Sequence, residues 1–261
     1  MEGDLGVVLK TTPLRESDLL VVLYTQTRGR VAAVARAARK SQRRFAGSLQ
    51  LLVLGRYQLG RPPRGELWSL ESAEVVREWN ELARDVVAVA HASYAAELLA
   101  ALLPPEAPDP EALALVVAVW DSLADGGPSV GALRAFEIAL LDLGGHRPAL
   151  AACAACGATD LGTGALFDPE RGGAICRRCG ATSRGAGVRP IDAVTLAYLR
   201  AAADADTIGA ARALDGDARF APADRAAGRD AMVAMVQSLA GRPLKSLEYI
   251  AKLGAATARR P

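Results

Sequence analysis

The stretch "GVVLKTTPLRESDLLVVLYTQTRGRVAAVARA", residues 6–37, indicates the beginning of a small β domain. Short segments rich in Val, Leu and Thr alternate here with turn signals such as "TRG", and this composition favours strands over helices. Two more segments of the same kind follow before residue 80. The predicted strands cover residues 6–12, 17–25, 29–37, 49–59 and 66–76. Five short strands in succession predict a closed barrel of the OB type, a fold that often binds single-stranded nucleic acid.

A basic run crosses the middle of this predicted barrel. From Arg28 to Arg64 the chain has ten Lys or Arg residues and no Asp or Glu, although its net charge is only +2. Residues 1–80 sum to +5 and residues 81–150 to −7. Like charges repel unless an anion such as a phosphate backbone neutralises them. The asymmetry therefore indicates a polyanion-binding part joined to an acidic part, with a solvated loop as the alternative for the run itself.

Helical periodicity replaces the strand pattern after Asn80. Apolar residues recur at helical spacing, and proline or glycine interrupts the pattern between segments. The predicted helices cover residues 81–103, 110–127, 129–145, 192–204, 225–241 and 246–256. With 51% hydrophobic residues in 261, the chain can bury substantial cores. We predict an OB-fold domain at residues 1–80 followed by a helical domain at residues 81–261.

All four cysteines lie within "CAACGATDLGTGALFDPERGGAICRRC", residues 153–179. They form two CxxC pairs separated by 19 residues, a spacing typical of zinc sites in which both sulfurs of each pair face one ion. The predicted ligands are Cys153, Cys156, Cys176 and Cys179. Four thiolates leave no open coordination position, so a single structural zinc is expected in a zinc-ribbon-like insert at residues 151–182. Redox-active disulfides or free thiols are the alternatives.

Other features of the sequence argue against a catalyst. None of the four lysines follows a glycine, so there is no Walker A loop for a nucleotide cofactor. The two histidines, His91 and His146, form neither an HExxH motif nor an evident triad. No signal sequence and no apolar run long enough to span a membrane is present, which predicts a cytoplasmic protein without membrane association.

Three segments together resemble the RecO family of bacterial recombination mediators. They are "GVVLKTTPLRESDLLVVLYTQTRGRVAAVARAARK" (6–40), "LRAFEIALLDLGGHRPALAACAACG" (133–157) and "GRPLKSLEYI" (241–250). The resemblance implies an OB-fold, a helical domain with a zinc module, and binding of single- and double-stranded DNA. It also implies annealing of complementary strands without ATP. With RecR, such proteins load RecA onto DNA coated by single-stranded-DNA-binding protein (SSB). Family members differ in whether they have the four cysteines, so the zinc site is not the shared functional element.

On this resemblance the basic run becomes the DNA-contacting surface of the barrel. The residues assigned to DNA are Arg36, Arg39, Lys40, Arg43, Arg44, Arg56, Arg61 and Arg64. Lys40, Arg43 and Arg44 are favoured because they fall in a predicted loop, "RKSQRRF" (39–45), whereas alternate strand residues face opposite sides.

Three aromatic residues near the basic run have two readings. Phe45, Tyr57 and Trp68 could stack on bases or fill the core of the small barrel. A barrel of this size needs aromatic side chains in its interior, which favours the core role, most of all for Trp68.

A second DNA candidate lies at "GRPLKS" (241–246), where Arg242 and Lys245 flank the proline before the last helix. Helix N-termini attract phosphate, and two cations would strengthen that attraction. A structural cap is the alternative. SSB is expected to bind through its acidic, apolar C-terminal tail in an apolar pocket of the helical domain rimmed by Arg or Lys, whose residues the sequence does not identify.

Two other classes of function stay open on the residues alone. A zinc-ribbon protein whose barrel binds structured RNA would share the basic run and the cysteines. An enzyme whose carboxylates meet only in the folded chain would show no motif in the sequence.

Overall fold

The computed structural model describes residues 3–61, 65 and 67–257. Within these, the residues through Asp125 together with those from Lys245 onward form one compact unit, here called the barrel unit. The second, here called the helical unit, is Gly126–Leu244. The domain boundary predicted at residue 80 is a statement about independent folding, which the division into two compact units does not test. It stays a prediction. Arg64 lies outside the described residues.

Five strands of the barrel unit close into a barrel. They are β1 Asp4–Pro13, β2 Leu19–Thr25, β3 Gly29–Ala35, β4 Val53–Gly60 and β5 Trp68–Glu78. The order around the barrel is β1-β2-β3-β5-β4, and β1 pairs with β4 to close it. All of these pairings are antiparallel except that of β3 with β5, which is parallel. This is a five-stranded Greek-key barrel, and the predicted OB-like fold is confirmed.

The barrel interior is filled by alternate residues of its strands. Along β3, the side chains of Val31, Ala33 and Ala35 are buried, and those between them are only partly covered. This is the period of two that a sheet with one covered face requires. Close strand contact also restricts side-chain size, because a Cβ at Gly6 would lie 2.4 Å from the carbonyl oxygen of Tyr24.

The structure decides the role of the aromatic residues near the basic run. Phe45 and Tyr57 are 4% and 0% exposed and belong to the barrel core, where the Tyr57 hydroxyl donates to the carbonyl of Ser48 at 3.1 Å. Trp68 is half-buried, with the Arg28 guanidinium 5.2 Å from its ring centroid. Phe45 and Tyr57 therefore fill the core and do not present open faces for base stacking.

The connection between β3 and β4 contains a one-turn helix, α1 (Gln42–Phe45), where the sequence predicted a loop. Ser41 caps it, because its hydroxyl accepts a hydrogen bond from the Arg44 N–H at 3.3 Å. The preceding turn contains Ala37 at φ +52°, and its N–H donates to the Asp18 carboxylate at 2.8 Å. Capping by Ser41 and burial of Phe45 stabilise this helical turn. A helix of only four residues is too short to be recognised from the periodicity of its apolar residues.

The six predicted helices are present with shifted ends. The helices after α1 are α2 Val86–Leu102, α3 Pro110–Gly126, α4 Val130–Leu143, α5 Arg177–Gly180, α6 Ala193–Ala203, α7 Pro222–Ala240 and α8 Lys245–Thr257. Helix α2 begins at residue 86 because the Asp85 carboxylate accepts from the N–H groups of Val87 and Ala88. Helix α7 begins three residues earlier than predicted, at Pro222, where the fixed φ of proline suits a first turn. No helix among the described residues has the length and apolarity that a bilayer crossing requires.

A carboxylate joins two distant helices within the barrel unit. Glu97 of α2 accepts hydrogen bonds from the backbone N–H groups of Lys245 and Ser246, at 3.2 and 2.9 Å, and from the Ser246 hydroxyl at 2.6 Å. The first N–H groups of a helix have no partner within the helix, so this contact satisfies donors that would otherwise lack one. Glu97 therefore caps α8 and attaches it to α2.

The helical unit contains a buried ion pair on α4. Arg134 and Glu137 are 2% and 0% exposed, and a guanidinium nitrogen lies 2.7 Å from a carboxylate oxygen. Arg134 also donates to the carbonyl of Arg229 on α7 at 3.2 Å. The pair thus joins α4 to α7 in the core of this unit.

Substitution Glu137→Gln is expected to destabilise the helical unit by about 3 kcal/mol, because it leaves the Arg134 charge buried without its counter-ion. The change is measured as a lower urea midpoint of the unfolding transition followed by circular dichroism. The matched control is Asp142→Asn, which removes the partner of Arg147 in an exposed pair and should alter stability by less than about 1 kcal/mol. Equal midpoints for the two variants would contradict a structural role for the buried pair.

Candidate nucleic-acid interface and metal centre

A cleft of about 520 Å³ on the barrel brings together three of the predicted DNA contacts. Helix α1 contributes Arg43 and Arg44 to its wall, and β4 contributes Arg56. The remaining lining residues are Gly3, Gln58, Ser72, Ala73 and Glu74. The cleft therefore combines a short helix with the outer face of two neighbouring strands.

The guanidinium groups of this cleft are exposed. Arg43, Arg44 and Arg56 are all accessible to solvent, and none of the ion pairs between described residues involves them. Arg44 is held against the barrel, since it donates to the carbonyl of Arg36 at 2.7 Å and its guanidinium lies 5.0 Å from the ring centroid of Phe45. The α1 side of the cleft is thus cationic.

The opposite wall carries one carboxylate that the sequence reading did not include. Glu74 is the β5 residue paired with Arg56 in the strand register, and it lines the same cleft. The register between distant strands is not visible in the sequence, although the alternation of Arg56 and Gln58 along β4 marks its outward face. The charge of the cleft is therefore polarised from α1 towards β5.

Four other predicted DNA contacts are exposed outside the cleft. Arg36, Arg39 and Lys40 are exposed on the turn before α1, and Arg39 donates to the carbonyl of Glu16 at 3.1 Å. Arg61 is exposed just beyond the end of β4. The structure thus places Arg36, Arg39 and Lys40 beside the residues that line the cleft, whereas Arg64 is outside the described residues.

The second DNA candidate has a different local geometry from the one expected. Arg242 and Lys245 are exposed, but Glu97 already accepts from the N–H groups of Lys245 and Ser246 at the beginning of α8. A phosphate would have to compete with that carboxylate for the same donors. Binding here would therefore depend on the two cationic side chains, and the assignment stays a prediction.

The four cysteines converge, as predicted. One sulfur from each of Cys153, Cys156, Cys176 and Cys179 lies within 4.8 Å of all the others, and no disulfide joins them. Cys153 and Cys176 are buried, and the cluster is covered by Ile175, Leu161 and Leu166. Four sulfurs at this separation could hold one metal ion.

Backbone hydrogen bonds shape both CxxC turns. The Gly157 N–H donates to the carbonyl of Cys153, and the Gly180 N–H donates to that of Cys176, each at 2.8 Å. Gly157 adopts φ +73°, a left-handed conformation that favours glycine. The two turns are held by a three-stranded sheet of order β7-β6-β8, with β6 Leu166–Asp168, β7 Gly173–Ile175 and β8 Arg189–Pro190.

The electrostatics of the cluster fit a cation. Burial alone would raise the pKa of Cys153, but N–H donors, foremost that of Cys176 at 3.3 Å from its sulfur, bring the pKa down to about 6. Hydrogen bonding to Cys156 and Cys176 raises the pKa of Cys179 to about 12, as expected when neighbouring thiols share protons. Four thiolates therefore need a positive partner to coexist.

An arginine lies beside this cluster. The Arg178 guanidinium contacts the Cys156 sulfur, and that thiolate raises the pKa of Arg178. This arginine therefore places a positive charge beside the thiolates.

Comparisons with known proteins cover almost the whole chain. The family models described as Recombination protein O N terminal and Recombination protein O C terminal match residues 1–79 and 83–248. A protein named DNA repair protein RecO from Anaeromyxobacter sp. strain K is 38% identical over 250 residues, which cover 95% of each chain. One of the same name from Myxococcus xanthus is 33% identical over 255 residues, 96% of this chain and 97% of that one. The chain therefore belongs to the recombination protein O family, RecO.

Proposed function

We propose that this protein acts in DNA repair and recombination as a mediator that binds single- and double-stranded DNA and anneals complementary strands without ATP. With RecR, it would help to load RecA onto single strands coated by SSB. It would act in the cytoplasm, on the DNA of the nucleoid, and without chemical catalysis. The observation that supports this proposal most directly is the cleft lined by Arg43, Arg44 and Arg56 on an OB-like barrel.

The charge distribution of the cleft favours a phosphate backbone. A planar guanidinium can donate two parallel hydrogen bonds to phosphate oxygens, and Arg43 and Arg56 are exposed and without an ion-pair partner among the described residues. Glu74 repels phosphate from the β5 wall, so the backbone is expected on the α1 side. Binding there would release condensed counter-ions and weaken as salt rises.

Annealing requires the protein to reduce the repulsion between two strands. Arg36, Arg39 and Lys40 provide positive charge outside the cleft, on the turn before α1. One strand in the cleft and a second along this turn would be held close while their bases find register. Base pairing supplies the free energy, so no nucleotide cofactor is needed.

The cysteine cluster is proposed to hold one structural zinc ion. Cys153, Cys156, Cys176 and Cys179 would be its ligands, with tetrahedral thiolate coordination and no open position. Bound zinc would keep all four sulfurs ionised and join the two CxxC turns. The contact of Arg178 with the Cys156 sulfur would offset part of the negative charge of the centre.

The double substitution Arg43→Ala with Arg56→Ala tests the cleft, while Arg44 and its contact with Arg36 stay in place. If each arginine neutralises one phosphate, the slope of log K against log salt for single-stranded DNA should become shallower by about 1.4. Annealing of complementary fluorescent oligonucleotides, without ATP and with or without SSB on the strands, should slow in parallel.

The matched control removes two exposed arginines elsewhere, Arg84 and Arg229, and should leave the salt slope and the annealing rate near those of the unmodified protein. An unchanged slope in the cleft variant would remove the cleft from the interface. Absence of annealing by the folded protein, or preference for RNA over DNA of equal length, would contradict the mediator function and favour an RNA-binding role.

Joint substitution of Arg242 and Lys245 by alanine tests the second DNA candidate. If their side chains contact phosphate, DNA affinity should fall and the salt slope should flatten by roughly one to two units. The cap by Glu97 uses the backbone N–H groups of Lys245 and Ser246 and is preserved in this variant. An unchanged slope would leave these residues without a DNA contact.

Metal analysis of the purified protein should find about one zinc per chain. Cys153→Ser in the presence of a chelator should lower the stability of the fold, because a structural zinc contributes directly to folding free energy. The readouts are the thermal unfolding midpoint and, separately, DNA affinity at a temperature where the variant is folded. Absence of zinc would contradict the site, and lost DNA binding with unchanged stability would contradict its structural role.

A further inference from the structure

A second cavity adjoins α1, which also contributes to the cationic cleft. It measures about 470 Å³ and is here called the α1 pocket. Its lining residues are Leu19, Ala38, Arg39, Ser41, Phe45, Ala46, Gly47, Leu49 and Gln50. All of them belong to the barrel unit.

The floor of the α1 pocket is apolar and its rim is polar. Leu19, Leu49 and the edge of Phe45 pack on the barrel core and form the floor. Arg39 and Gln50 are exposed at the rim. A nucleobase has the complementary character, with apolar faces and a polar edge.

The pocket and the cleft share α1 as a common wall. Arg43 and Arg44 line the cleft, whereas Ser41, Phe45 and Ala46 line the α1 pocket. A strand whose phosphates lie along Arg43 and Arg44 therefore passes within one helical turn of the pocket. The basic residues of the adjoining turn, Arg36, Arg39 and Lys40, make this side of α1 positive as well.

We propose that the α1 pocket receives one unstacked nucleobase of a single DNA strand whose phosphates lie in the cationic cleft. This inference rests on the proposed DNA binding of the barrel and adds a binding site for one base. The Ser41 hydroxyl accepts a hydrogen bond from the Arg44 N–H. A hydroxyl group can accept and donate at once, so its hydrogen can be donated to an acceptor atom of a base in the pocket. Arg39 and Gln50 add donors at the rim for the polar edge of a base.

Such a subsite separates single strands from duplex. Bases of a duplex are stacked and paired, so none can enter the pocket without the free-energy cost of opening the helix. The cleft by contrast contacts only the backbone, which both forms present. The α1 pocket would therefore give the barrel a preference for single strands that phosphate contacts cannot supply.

The test compares an oligothymidylate with a fully abasic oligomer of equal length, which carries the same phosphates without bases. The unmodified protein should bind the oligothymidylate roughly five- to tenfold more tightly, because one base is removed from water against the apolar floor of the pocket. Ala46→Phe places a ring in the pocket and should remove most of this preference, while affinity for the abasic oligomer stays the same. The control Ala114→Phe changes an exposed position on α3 and should keep the full preference.

The outcomes separate this inference from the proposed function. If the protein binds neither oligomer, DNA binding itself fails and the pocket with it. Equal affinity of the unmodified protein for both oligomers overturns the nucleobase subsite but leaves phosphate binding by the cleft intact. A preference that Ala46→Phe does not reduce also overturns it, because the bases are then bound elsewhere.

As a second readout, 2-aminopurine within oligothymidylate should be protected from acrylamide quenching by the unmodified protein and by Ala114→Phe, but not by Ala46→Phe.

Discussion

Closure of the barrel determines where the basic run of the chain can lie. β1 pairs with β4, and β3 pairs in parallel with β5. These pairings satisfy backbone N–H and C=O groups that would otherwise be exposed along open sheet edges. The segment between β3 and β4 must then cross outside the closed ladder. The position of this segment is fixed by Phe45, whose side chain packs in the barrel core and anchors α1. Arg43 and Arg44, just before Phe45, consequently lie at the surface, where water or a bound anion can offset their charge.

One turn of helix therefore organises both candidate contacts with nucleic acid. Arg43 and Arg44 of α1 line the cleft, whereas Phe45 and the two residues that flank the helix, Ser41 and Ala46, line the α1 pocket. A DNA strand has a similar division, because its phosphate backbone is charged and the faces of its bases are apolar. On the proposed binding mode, the barrel would contact the two parts of a nucleotide through separate surfaces.

The cysteine module depends on a different constraint, the proximity of four ionisable sulfurs. N–H groups lower the pKa of Cys153, whereas sharing of protons with Cys156 and Cys176 raises the pKa of Cys179. The cluster is compact and its apolar cover is small, so a bound cation would contribute much of its stability. The helical unit that carries it also contains the buried pair of Arg134 and Glu137, whose charges are neutralised by each other rather than by water.

The sequence by itself determined the elements and the chemistry that depends on local spacing. Strand composition identified five strands, helical periodicity identified six helices, and two CxxC pairs identified the four cysteines that converge, because each of these signals lies within a few neighbouring residues. The approach of Arg56 to Arg43, the presence of Glu74 opposite them, and the capping of α8 by Glu97 were decided only by the tertiary structure. These contacts join residues that are distant in the chain, and strand register and helix packing bring them together. The burial of Phe45 and Tyr57 belongs to the same class, because a ring beside a basic run suits a barrel core and a base-stacking surface equally well until the barrel closes.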